Sequence, residues 1–149
     1  MKSLTFVVQL KYRFLLASLI LVWWCLPARA QTNQADKFII EQDSVVEKEG
    51  SGPHDGGGAS IGYNFFNNVA NYKTAFRKRI LKPGSSIGYH FQETDEIYYV
   101  ISGTGMMVIN SKNYPVKPGD AILTRTGSSH GIKPDANKQL TLIIVYQKK

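Results

Sequence analysis

Short segments rich in β-branched and aromatic residues recur from residue 72 to the C-terminus, each closed by a turn-forming cluster. They read YKTAFRKRIL (72–81), EIYYVIS (96–102), GMMVIN (105–110), AILTR (121–125) and QLTLIIVY (139–146). The interruptions are KPGSS, SGTG, NSKN, KPGD, TGSS and KPDAN. Strands of this length, spaced by roughly ten residues and separated by Gly, Pro and Asn, predict an all-β sandwich or barrel. No stretch carries a helical period, and no internal repeat or low-complexity tract is present.

The chain begins differently. Lys2, Lys11 and Arg13 precede an apolar run over residues 14–26, followed by PARA, with Ala28 and Ala30 at the small-residue spacing of a signal-peptidase site. This pattern predicts a secretory signal peptide over residues 1–30, cleaved after Ala30, and a periplasmic or secreted mature protein. The run is shorter than the roughly 18 residues a membrane span needs, so no membrane association is expected after cleavage. Removing Lys2, Lys11, Arg13 and Arg29 lowers the formal charge from +7 to +3. The basic balance therefore belongs partly to targeting, and nucleic acid is not an expected partner. The only cysteine, Cys25, falls within the removed segment, which leaves no disulfide or thiolate chemistry in the mature chain. Residues 31–60 read as a polar and Gly-rich lead-in, with one short strand at residues 38–40 and a loop at SGPHDGGGAS (51–60). Residues 61–149 read as a single β domain.

Ligand-type side chains crowd into GYHFQETDEIYYVISGTG (88–105). On a strand, His90 and Gln92 share a face, and after a turn through Thr94 and Asp95 the side chains of Glu96, Tyr98 and Val100 share another. GSSHG supplies His130 far along the chain. If Glu96 faces inward, two imidazoles, a carboxylate and an amide oxygen can converge.

These residues resemble the cupins, which fold as a double-stranded β-helix, a jelly-roll barrel. The first cupin motif is Gly, five residues, His-x-His, three or four residues, Glu, six residues, Gly. Here it is met by Gly84, His90, Gln92, Glu96 and Gly103, with Gln92 in place of the second His. The second motif runs from Gly119 through Gly127 to His130, with Arg125 where the family has Pro and Pro134 where it has Asn. Together the motifs cover residues 84–134. The resemblance implies a divalent transition metal, among Fe, Mn, Zn and Ni, held by His90, Gln92, Glu96 and His130. It also implies a small-molecule substrate. Without the weaker amide donor, the set is two His and one carboxylate, which suits Fe(II) with open positions.

Two functional classes follow. One is an enzyme acting on a small sugar, sugar acid or other oxygen-rich metabolite, by isomerase or lyase chemistry or by Fe(II) dioxygenase chemistry. The other is a non-catalytic barrel that binds a metal or small ligand. His54 is a candidate proton shuttle, lid residue or added ligand, or else an exposed loop residue. Tyr98 is a candidate hydrogen-bond donor into the pocket or a core tyrosine. Arg125 is a candidate carboxylate or phosphate binder, or a surface arginine. In RKR (77–79), Arg77 and Arg79 read as solvated charges, with Lys78 on the opposite, inward face. The family commonly dimerises, and residues 38–40 and 140–146 are apolar enough either to pair across a two-fold axis or to serve as ordinary core strands.

Overall fold

The computed structural model describes residues 37–149; the signal-peptide expectation lies outside these residues. The compact unit, Phe38–Lys149, contains a one-turn helix, α1 (Asp43–Val46), and ten strands. These are β1 (Glu47–Gly52), β2 (Gly57–Phe65), β3 (Thr74–Leu81), β4 (Ile87–Phe91), β5 (Glu96–Ser102), β6 (Gly105–Ile109), β7 (Lys112–Val116), β8 (Ala121–Thr124), β9 (Ser129–Pro134) and β10 (Leu140–Gln147). They form a six-stranded sheet in the order β1-β2-β3-β10-β5-β8 and a four-stranded sheet in the order β4-β9-β6-β7.

The two sheets share one core. Leu81, Tyr98, Val100, Leu140, Leu142 and Ile144 project from the larger sheet, and Ile87, Met107, Val116 and Ile132 from the smaller. The alternation anticipated for β5 holds: Glu96, Tyr98 and Val100 are buried, whereas Ile97, Tyr99 and Ile101 are exposed. At the β5–β6 turn, Gly103 sits at φ +83, and a Cβ there would also collide with the Gln139 carbonyl. Glycine meets both demands. Among the described residues, no helix is long and apolar enough to cross a membrane.

The structure departs from the sequence reading in three places. Residues 51–60 are not one loop, because most of them belong to β1 and β2. Only residues 53–56 remain as a tight turn, closed by the Gly56 N–H donating to the Pro53 carbonyl at 3.1 Å. Its central residues, His54 (φ 52) and Asp55 (φ 57), are both left-handed, as a two-residue hairpin with the twist of the flanking strands requires. Residues 38–40 form no strand and their side chains are exposed. The third difference is the facing of RKR. Ala75 and Leu81 are buried, so the alternation of β3 turns Arg77 and Arg79 inward with them. Lys78 lies on the other face, ion-paired with Asp43 and over the Tyr63 ring.

Candidate metal centre

Strand register brings the ligand-type residues together. β4 and β9 pair antiparallel with His90 directly opposite His130, and their ring centroids are 4.5 Å apart. Glu96, the first residue of β5, points into the same space from the facing sheet. Its Oε2 lies 3.2 Å from His130 Nε2. One ligand atom from each of His90, Glu96 and His130 falls within a 4.8 Å cluster. Gln92 follows the end of β4 on the same side as His90 and is 7% exposed. Its backbone is tied to the second motif, its N–H donating to the Ser128 carbonyl and its C=O accepting from the Gly127 N–H.

The donors are arranged for a cation. Glu96 Oε2 and His130 Nδ1 are buried with no hydrogen-bond partner; the contact of Oε2 with His130 is close but poorly aligned for a hydrogen bond. An uncompensated buried carboxylate oxygen is costly, and a divalent cation between it and the two imidazoles removes that cost. His90 Nδ1 lies 2.8 Å from the Gly88 carbonyl. An N–H on that nitrogen fixes the tautomer that leaves Nε2 as the donor lone pair, the usual supporting contact of a ligating histidine. Two imidazoles and one carboxylate fit a transition metal. These residues would hold it, and Gln92 lines the cavity over them.

His54 is part of this site. Its ring stacks on His90 with centroids 3.6 Å apart and planes 3° from parallel. The turn that carries it is fastened to β4 by the Gly88 N–H donating to the Pro53 carbonyl at 2.9 Å and by Ser86 Oγ donating to the Gly56 carbonyl at 2.7 Å. A Cβ at Gly88 would strike the His54 carbonyl oxygen, so the close approach depends on that glycine. Partial burial, and then the neighbouring His90, hold the His54 imidazole below its ordinary pKa and favour the neutral ring. Tyr98 sits beneath the cluster, its hydroxyl 3.0 Å from His130 Nε2. Burial, and then the Glu96 carboxylate, push that phenol well above its usual range, so it stays protonated.

A cavity of about 280 Å³ opens over the cluster, lined by His54, Arg77, His90, Gln92, Glu96 and Tyr146 among others. His130 is fully buried behind it. Arg125 does not line this cavity: its Nε pairs with Asp95 Oδ2 at 2.9 Å on the exposed side. Asp95 also accepts from the Thr126 N–H at 2.9 Å and from the Thr126 hydroxyl at 3.1 Å. Arg125 thus helps fasten the β4–β5 turn to the loop leading to His130. Arg77 and Tyr146 are cavity residues that the sequence reading missed; apolar residues on both faces of β3 left no signal for the facing of Arg77.

The fold and site define a small β domain of two facing sheets whose His90–Glu96–His130 cluster could hold a metal ion. The profile of the cupin domain matches residues 78–146, and the chain belongs to the cupin superfamily. An oxalate-binding protein of Thermotoga maritima is 40% identical over 76 residues, covering 50% of this chain and 63% of that protein. The chain therefore spans less than two thirds of the length of the curated relatives it matches. A crystal structure of a predicted oxalate decarboxylase, also from Thermotoga maritima, superposes with a TM-score of 0.67 at 30% identity, covering 74% of this chain and all of that one. The polyketide cyclase RemF of Streptomyces resistomycificus has a TM-score of 0.64 at 18% identity, with 75% and 81% covered, a likeness of fold alone.

Proposed function

We propose that this protein is an exported metal-dependent cupin that takes a small, oxygen-rich carboxylate of the oxalate type into its cavity and acts on it by lyase-type chemistry. The observation that carries the reading is the convergence of His90, Glu96 and His130 at the floor of an open cavity of about 280 Å³, a volume suited to a small metabolite. The oxalate-binding relative supports the choice of a carboxylate. His90, Glu96 and His130 hold the metal, and Gln92 serves as a weak neutral fourth ligand. Bound there, a divalent metal supplies Lewis-acid polarisation of a carbonyl or carboxylate oxygen.

The chain's own groups do the rest. Neutral His54 at the cavity wall accepts or returns a proton at its imidazole. Tyr98, kept protonated, donates a hydrogen bond from beneath the cluster. The apolar core packed behind His130 keeps water from the far side of the ligands. Substitution at Tyr98 by Phe should preserve metal content and lower turnover roughly tenfold to a hundredfold, the order of one hydrogen bond to a charged group.

A second reading, a carboxylate-binding domain without turnover, is favoured by the relative that is named for binding alone. Calorimetry of metal-loaded protein against oxalate, followed by carbon dioxide and formate assays, tests both. Binding with product formation supports the enzyme, binding without product supports the carrier, and no binding by metal-loaded protein contradicts the proposal.

A further inference from the structure

Arg77 stands on the inward face of β3, half-buried, and lines the cavity that contains His54, His90 and Glu96. Its guanidinium carbon lies 5.0 Å from the Tyr146 ring centroid. Such packing holds the planar fork in place and leaves its N–H edge available. Among the described residues no carboxylate lies within ion-pairing distance of Arg77, whereas the other cavity cation, Lys149, is paired with Glu93 and exposed.

A second guanidinium sharpens the point. Arg79 shares the inward face, donates from Nη1 to Ser60 Oγ at 3.2 Å, and leaves Nε buried without a partner. Arg79 does not line the cavity, but its charge stands two residues from Arg77, which is itself partly desolvated and without a carboxylate of its own, so the empty site is disfavoured. A bound anion offsets that cost. The charges also set how much anion: a divalent metal on the single Glu96 carboxylate leaves one positive charge, and Arg77 adds another.

We propose that Arg77 is the specificity-determining residue of this site, gripping one carboxylate of a small dianion whose other end is held at the His90–Glu96–His130 cluster. The inference rests on the metal-site reading above and narrows the ligand to dicarboxylates such as oxalate over monoanionic hydroxy acids and neutral sugars. A bidentate guanidinium–carboxylate pair supplies the discrimination.

The test is calorimetry of metal-loaded wild type, Arg77→Gln, Arg77→Lys and Lys149→Gln against oxalate and glycolate, with metal content measured on each. Wild type should prefer oxalate by about tenfold or more, the order expected for a charged hydrogen-bonded contact. Arg77→Gln should keep its metal and its glycolate affinity while losing that preference; Arg77→Lys should recover part of it. Lys149→Gln should stay within about twofold of wild type. Oxalate affinity unchanged in Arg77→Gln, or an equal loss in Lys149→Gln, overturns the role of Arg77 alone. Wild type that takes up no metal, or binds neither acid when loaded, overturns the metal-site reading and this inference with it.

Discussion

Gln92 places an amide at a position that is buried and lines the cavity. An amide oxygen is a neutral and weaker donor than imidazole nitrogen toward most transition metals. Gln92→His should therefore raise metal affinity about tenfold or more, read from competition with a chromophoric chelator; an unchanged affinity would remove Gln92 from the ligand set. His54 is a different case. A non-glycine residue at φ 52 carries left-handed strain of roughly 1 kcal/mol. Glycine relieves that strain but loses the ring stacked on His90. His54→Gly should leave the thermal midpoint equal or higher while weakening turnover. A lowered midpoint with unaltered turnover would make the residue merely structural.

At the scale of elements, the site depends on how the β1–β2 hairpin meets β4. Gly88→Ala places a methyl against the His54 carbonyl, and the backbone must move. We expect a loss of about 1–3 kcal/mol in denaturant unfolding, the usual cost of overpacking, together with release of the His54 ring. The β4–β5 turn is held through Asp95, whose carboxyl is lowered first by the Thr126 backbone N–H and also by Arg125. Its folded pKa lies below the ordinary 3.8, so its stabilisation is present above that value and fades as pH falls through the folded one. Asp95→Asn should lower the midpoint near neutral pH in chelator, and the gap should close below about pH 3.8; a gap independent of pH would refute the assignment. The elements also differ in how plainly the sequence announced them. β3, β5, β6, β8 and β10 stand out because apolar or β-branched runs end at turn residues. β1 and β2 do not, because Gly52 and Gly58 serve close backbone approaches to Ser86 and Ser85 and make the strands look like loop. β7 is an edge strand, and edges tolerate the Pro115 that otherwise reads as a break.

At the scale of the molecule, two sheets with one core carry the candidate ligands on both faces of the interior: His90 and His130 on the smaller, Glu96 on the larger. Alternation placed Glu96, Tyr98 and Val100 on one face of β5 but left the inward face open, since both faces are apolar; the match to the cupin motifs is what grouped His90, Glu96 and His130. Arg77 was not legible, because β3 has apolar residues on both faces and only tertiary packing decides which is inside. A metal held by His90, Glu96 and His130 would cross-link the sheets. Metal at a hundred times its dissociation constant should stabilise the fold by about 2.7 kcal/mol, and removal by a chelator should lower the midpoint reversibly.

The most direct measurement is elemental analysis of protein purified without chelator, beside His90→Ala and Glu96→Gln. About one transition metal per chain is expected in the wild type, and its loss in both variants. A folded wild type that carries no metal and takes none up on loading would contradict it.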